Sequence, residues 1–560
     1  MQMRRFAWPR ALDWLGRHSV SRRAALSRLA AVGVLPLVTR DGRAAEGGSS
    51  PRGPTAVEAK LAPSGARALL TNTAEGPGWK AANGLLNILW ERPGGDWSDA
   101  TGARWGNRAF ASYTVRRYGS QTLTWDVKTM VAKLLGDNTG IMLRSTGAMK
   151  LAASRTAGQP APTLIVNGTA CSLLADTWVD PSGANFGRLD WLQTPALLKF
   201  DLSGVTAPIQ SAKLSVVLTN LYTEPPLTVD AYYLEMPVIV TDPASQLGGV
   251  QRGIAARVAR DQDLAAHPAV VRYSEMKSQA DINDGSWFID RRTPIYGHKG
   301  GDWTYEPSYV PVSEYGVTIG RACIPGAPNQ GSASGINMHR WVYPRDVPPK
   351  PWQRDLGSGD EELYLRYLVR LDADVFEGIR PDGGVKLPGL TGAYEYHTIR
   401  GWSPGRSAWS YRVEHGSPSP AHPGIFRLFI YAYDFAAPIG SGSGEPIYFN
   451  HNICLRAGRA YALEQYVKLN TQNADGAWNA DGIIRMYVDG VLALDVNNRM
   501  IRQDRRVGFY DIPFLCLYHG GTLAPNKDIH YELGAVCVAH EYIGPPTRVG
   551  AAISPIPAKR

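Results

Sequence analysis

Glu362-Leu363-Tyr364-Leu365-Arg366-Tyr367-Leu368-Val369-Arg370-Leu371 turns Leu363, Leu365, Tyr367, Val369 and Leu371 to one side and Tyr364, Arg366 and Arg370 to the other. A period of two is the signature of a strand with one face in a core. Downstream, Leu463 to Leu469 repeats the pattern, splitting Leu463, Gln465, Val467 and Leu469 from Glu464, Tyr466 and Lys468. Gly482 to Asp495 then reads as a hairpin turning at Asp489-Gly490, the dipeptide that best suits a two-residue turn. Long antiparallel strands of this kind build a concanavalin-like β-jelly roll, one sheet of which can curve into a groove.

Outward from this stretch the chain stays β-rich. Its 560 residues, with 59 glycines and 40 prolines punctuating short runs of Val, Leu, Tyr and Thr, predict an all-β protein of roughly two to four domains. Short strands are expected at 121–127, 140–144 and 162–166, and again at 175–179, 197–203 and 211–218. Between 249 and 272 alanine and charge replace the strand pattern, which predicts a short helix ending before Pro268.

The formal charge of +9 suggests a nucleic-acid partner, but the first 45 residues carry nine arginines against Asp13 and Asp41. Without them the charge falls to +2, so no nucleic-acid partner is expected. Ser21-Arg22-Arg23-Ala24-Ala25-Leu26, the apolar run from Leu29 to Val38 and Arg43-Ala44-Ala45 read as a twin-arginine-type export signal. Once it is removed no membrane association is expected, because no later run nears the roughly 20 apolar residues of a span. Cys171, Cys323, Cys454, Cys516 and Cys537 are scattered without CxxC or metal spacing. No disulfide framework, metal or cofactor is expected from them; Cys516 and Cys537 read as core residues.

The expected organisation is an export signal over 1–45, a linker over 46–68, one or two N-terminal β-sandwich modules over 69–245, a helical linker over 246–272, the jelly roll over 273–545 and a tail over 546–560. In the N-terminal region, Ala175-Asp176-Thr177-Trp178-Val179, Leu198-Lys199-Phe200-Asp201-Leu202-Ser203, Ser211-Ala212-Lys213-Leu214 and Pro162-Thr163-Leu164-Ile165-Val166 resemble the DNRLRE-type modules of secreted carbohydrate-active proteins. That resemblance implies carbohydrate binding or a spacer role. Its opening and closing motifs stand in the wrong order for two complete copies, so one composite sandwich fits as well as two. Trp79, Trp90, Trp97 and Trp105 are candidate sugar-stacking residues, with packing as the alternative for each.

The chemistry-bearing residues gather in under fifty positions: Lys386-Leu387-Pro388-Gly389, Ser410-Tyr411-Arg412 and Tyr431-Ala432-Tyr433. Alternation puts Ser410 with Arg412, and Tyr431 with Tyr433, on shared faces. Cleaving a uronate chain by β-elimination requires neutralising the sugar carboxylate, removing the proton on the adjacent carbon and protonating the leaving oxygen. Arg412 and Lys386 suit the first step. Tyr431 or Tyr433 suits the other two, because nearby cations favour a phenolate. Ser410 would position substrate. His397 and His415 are alternative bases, with a structural role as the rival reading. Arg366, Glu464, Tyr466 and Lys468, together with His397, are expected as secondary substrate contacts. Asp434 follows Tyr433 and brings a negative charge beside it. No Glu-x-Asp-x-Glu strand of a sandwich hydrolase is present; Glu395 and Glu414 stand as isolated carboxylates.

These segments, with Glu464-Gln465-Tyr466-Val467-Lys468-Leu469-Asn470 and Val488-Asp489-Gly490-Val491, resemble the jelly-roll polysaccharide lyases of family fourteen and its relatives over about residues 265 to 545. The resemblance implies a lyase acting on an acidic polysaccharide such as alginate or glucuronan, with Lys386, Ser410, Arg412, Tyr431 and Tyr433 at the site. A non-catalytic lectin-like protein on the same fold is the alternative, followed by a sandwich glycoside hydrolase.

Overall fold

In the computed structural model, the described residues are 81–83, 88–180, 183–186, 195–282, 287–289, 308–324, 326, 335–336, 338–341, 359–380, 383–393, 408–416, 419–437, 444–512, 517–519 and 525–549. The export-signal reading of 1–45 and the residues Trp79, Glu395 and His397 lie outside them, as does Cys516.

The N-terminal region is a two-sheet sandwich. One sheet runs Gly183–Phe186, Leu173–Asp180, Ala196–Phe200, Ile141–Ser145, Leu227–Glu235 and Asp96–Ser98, with Ala111–Val115 also paired to Leu227–Glu235. The other runs Gln121–Asp126, Ala212–Leu221, Thr163–Val166 and Thr169–Cys171, with Met149–Leu151 on the edge of Ala212–Leu221. Strands from the two sequence segments interleave: Ile141–Ser145 lies between Ala196–Phe200 and Leu227–Glu235. They close over one core that includes Leu123, Trp125, Leu143, Leu164, Leu198, Leu214 and Val229. The described strands therefore form one composite sandwich, because neither segment can bury its apolar face alone.

The C-terminal region is a jelly roll of two facing antiparallel sheets. The far sheet runs Ser308–Val312, Val317–Ile324, Ile529–Ala539, Glu362–Leu371, Ala460–Lys468, Gly482–Val488 and Val491–Arg499, with Val270–Ser274 also paired to Ile529–Ala539. The groove sheet runs Trp287–Ile289, Met338–Trp341, Gly508–Ile512, Val385–Ala393, Ala408–His415, Ile425–Tyr433 and Glu445–Tyr448. The alternation of the opening stretch is realised: Leu363, Leu365, Tyr367, Val369 and Leu371 enter a shared core with Leu390, Tyr411, Val413, Ile430 and Phe509 of the groove sheet. Asp489 and Gly490 both have positive φ, at 51° and 83°, and turn the hairpin tightly between Val488 and Val491.

Residues 249–272 depart from the single helix the sequence suggests. They form two 3₁₀ turns, Ile254–Arg257 and Asp261–Ala266, that pack Ile254, Ala255 and Leu264 against Cys537, Ala539 and Ile543. The segment is thus part of the jelly roll's outer layer. The two β regions also share a core, in which Ile88, Trp90, Tyr232 and Met236 meet Ile425 and Cys454. Asn452 accepts from the Leu89 amide at 2.9 Å and donates to the Leu89 carbonyl at 3.1 Å. No described helix is long and apolar enough to cross a membrane. The four described cysteines, Cys171, Cys323, Cys454 and Cys537, are free thiols.

Candidate active site

Three neighbouring strands of the groove sheet carry the site: Val385–Ala393, Ala408–His415 and Ile425–Tyr433. On the middle strand Trp409, Tyr411 and Val413 point into the core. Ser410, Arg412 and Glu414 therefore share the outer side, away from the core, where the sequence reading expects the groove. Register fixes their neighbours. Ser410 stands opposite Tyr433 and Thr391, Arg412 opposite Tyr431 and Gly389, and Glu414 opposite Phe429 and Lys386. Directly opposed residues lie about 5 Å apart at Cα, so five of the sequence-predicted residues, Lys386, Ser410, Arg412, Tyr431 and Tyr433, fall on one small patch.

Lys386-Leu387-Pro388-Gly389 contains a bulge. Between Lys386 and Gly389 the lysine strand advances three residues while its partner advances two, from Glu414 to Arg412. Gly389 is required at this close approach, since a Cβ there would stand 2.0 Å from the Tyr411 carbonyl oxygen. The bulge opens the pairing of Leu390 with Tyr411, and Gln465 of the far sheet fills the opening from below. Its Oε1 accepts from the Leu390 amide at 2.7 Å and its Nε2 donates to the Tyr411 carbonyl at 3.0 Å. The Tyr367 hydroxyl donates to the Pro388 carbonyl at 3.1 Å. Arg412 braces the same turn, Nε reaching the Leu387 carbonyl at 3.4 Å and Nη2 the Lys386 carbonyl at 3.3 Å.

The charges are tightly grouped. Lys386 Nζ lies 4.3 Å from the Tyr431 ring centroid and 3.8 Å from Glu414 Oε2. Tyr433 donates to the Tyr431 hydroxyl at 3.4 Å, with the rings edge to face. Burial raises the Tyr433 pKa above its ordinary value, and the hydrogen bond to Tyr431 adds to this. The expectation that cations would favour a phenolate is thus reversed at Tyr433, where desolvation dominates. Burial likewise raises the Glu414 carboxyl, partly offset by Lys386 and Arg412.

Asp434 does not bring its charge to the groove. It is fully buried, takes Arg499 Nε and Nη2 at 2.6 and 2.9 Å, and accepts the Tyr411 hydroxyl at 2.5 Å. His415 points into the core beside Phe426 and Tyr531, with Nε2 2.8 Å from the Tyr531 hydroxyl. Burial pushes its pKa down to about 4, so it is a neutral structural group.

The expected secondary contacts are corrected by the topology. Arg366, Glu464, Tyr466 and Lys468 lie on strands of the far sheet, on the face turned away from the core and hence from the groove. Arg366 is fully buried there and pairs with Asp261 through both terminal nitrogens at 2.7 Å. Glu464 accepts the Ile543 and Gly544 amides at 2.7 and 2.8 Å, and Tyr466 stacks on Tyr364 and donates to Glu362. On the N-terminal sandwich Trp90 is core, while the rings of Trp97 and Trp105 are covered by Arg144 and by Arg92 and Arg104.

Two residues of the candidate site escaped the sequence reading. Glu414 was legible as an isolated carboxylate, and its place in the Ser410, Arg412, Glu414 alternation was the signal. Gln465 was visible only as a polar residue on an apolar strand face. Among the described residues, Asp372, Asp374 and His530 bring potential metal-ligating atoms together at the end of the far sheet, but Arg321 already pairs with Asp372 and His530 with Asp374.

Neither a protein-family model nor a curated protein sequence matches the chain. Among solved structures it is similar to the alginate lyase vAL-1 from Chlorella virus, at 15% identity and a TM-score of 0.33, over 48% of this chain and 99% of that one. It is also similar to the marine PL-14 alginate lyase from Aplysia kurodai, at 16% identity and a TM-score of 0.32, over 48% and 98%. The endo-β-1,4-glucuronan lyase from the fungus Trichoderma reesei aligns at 12% identity and a TM-score of 0.31, over 50% and 100%.

Proposed function

We propose that the protein is an exported lyase that cleaves a uronate-containing polysaccharide, such as alginate or glucuronan, by β-elimination. The observation that carries the reading is the register that sets Lys386, Arg412, Tyr431, Ser410 and Tyr433 side by side on one face. Arg412 and Lys386 neutralise the sugar carboxylate, which stabilises the enolate that forms when the adjacent carbon loses its proton. Tyr431 accepts that proton. It lies under the Lys386 ammonium and receives a hydrogen bond from Tyr433, which fix its hydroxyl in place. Tyr433, held neutral by burial, donates its proton to the leaving glycosidic oxygen. The carbon–oxygen bond breaks as the carbon–carbon double bond forms, and Ser410 orients the ring beside Tyr433. The N-terminal sandwich serves as a carbohydrate-binding or spacing module, and the leader directs export.

The test is a panel of polyuronates incubated with the purified full chain and monitored for the ultraviolet absorbance of unsaturated uronate ends. Growth of absorbance on at least one substrate supports the reading. Sugar binding with no absorbance on any would overturn it in favour of a lectin.

A further inference from the structure

Glu414 is a carboxylate in a site that would bind carboxylates. It stands opposite Lys386 in the sheet, on the same face as Arg412 and Ser410, and is only 8% exposed. Two buried acids of this domain meet several donors, Glu464 two backbone amides and Asp434 Arg499, Tyr411 and the Ala437 amide, whereas Glu275 Oε1, beside an ion pair of its other oxygen to Lys277, shares with Glu414 the lack of one. Glu414 Oε2 is buried and makes no hydrogen bond; its charged neighbour is the Lys386 ammonium at 3.8 Å. A side chain at position 384 would stand 2.6 Å from Glu414 Oε1, so Gly384 leaves room for the carboxyl.

We propose that Glu414 is an internal counter-anion to Lys386 and Arg412, and that a substrate carboxylate enters the groove only as Glu414 takes up one proton from solvent. The inference rests on the polyuronate reading of the groove and adds a proton to its binding step. The groups around Glu414 are Lys386 from one neighbouring strand, Arg412 on its own strand, Tyr433 from the other neighbouring strand and Tyr448 from the strand beyond that. The two cations favour the ionised form of Glu414, and desolvation opposes it. An arriving uronate competes for the same two cations, and two carboxylates sharing one site cannot both stay ionised cheaply. The proton settles on Glu414, whose orphan Oε2 becomes a hydroxyl donor toward the sugar carboxylate. It returns to solvent when product leaves. Burial already raises the Glu414 pKa, which shortens the step.

Calorimetric titration tests this on the full chain carrying Tyr431→Phe, which removes the base and leaves Glu414, Lys386 and Arg412 in place. Alginate and glucuronan tetrasaccharides are titrated in two buffers of different ionisation enthalpy, across roughly pH 5 to 9. Uptake approaching one proton per saccharide, with affinity falling up to about tenfold per pH unit in the alkaline range, is expected. Adding Glu414→Gln should abolish both the buffer dependence and the slope while binding persists. Binding with equal heats in the two buffers would overturn the proposal and leave the lyase reading standing. Absence of binding by every uronate would overturn both.

Discussion

At Lys386 and Arg412 the proposed elimination asks for fixed positive charge aimed where an enolate would develop. Removing one such preorganised group usually costs about 100- to 1,000-fold in turnover. Arg412→Ala and Lys386→Ala should each lose that much, measured as initial rate of absorbance growth, with an unchanged circular dichroism spectrum. Arg412→Lys should not rescue, because the guanidinium also braces two carbonyls of the bulge. His415 makes a different prediction. Its pKa of about 4 lies below the ordinary 6.5, so the folded state binds fewer protons than the unfolded one between those values. Stability from this group is present above about pH 6.5 and is lost as pH falls toward 4, by about 3 kcal/mol in total. Denaturant unfolding of wild type minus His415→Gln, followed across that window, should show the slope. A difference curve is needed because burial raises Glu464 to about 7 and tilts the same window the other way.

The element that shapes the site is the bulged strand Val385–Ala393, held from beneath by the far strand Ala460–Lys468. Replacing Gln465 with Leu leaves the Leu390 amide and Tyr411 carbonyl buried without partners, at about 1–3 kcal/mol for each such group. Thermal unfolding should register the loss, and turnover should fall through misplacement of Lys386. Gln465→Glu keeps the acceptor for Leu390 but loses the donor to Tyr411, so it should recover part of the stability. This element also shows what a sequence can and cannot reveal. Alternation gave the faces of Ser410, Arg412, Tyr431 and Tyr433 correctly, because a period of two is written in the residues. It could not tell that Ala460–Lys468 belongs to the opposite sheet, so Glu464, Tyr466 and Lys468 were assigned to the wrong surface. Sheet membership is set by long-range pairing, and a strand's apolar stripe looks the same in either sheet. The same argument covers Arg366, whose carboxylate partner Asp261 lies 105 residues away. Breaking that pair with Asp261→Asn should cost about 3–5 kcal/mol in unfolding experiments and leave KM unchanged in whatever protein folds.

Across the whole molecule the two β regions are joined by a buried apolar seam as well as by the chain. Ile425 begins the strand that carries Tyr431 and Tyr433, and it is packed against the N-terminal sandwich. Val240 donates to the Asn452 carbonyl at 3.1 Å and accepts from the Cys454 amide at 2.9 Å, adding main-chain bonds to the seam. The full chain should therefore melt with the two regions coupled, and Asn452→Ala, which removes both bonds to Leu89, should lower the calorimetric midpoint of both together. The sequence placed a boundary near 246–272 but did not disclose this seam, since its apolar residues are scattered over both regions. The central claim, elimination at the Lys386–Arg412 groove, is tested most directly by digesting a polyuronate in oxygen-labelled water and weighing the products. Elimination predicts unsaturated fragments without the label, lost in Arg412→Ala; fragments that carry one labelled oxygen from water would mean hydrolysis and contradict the account.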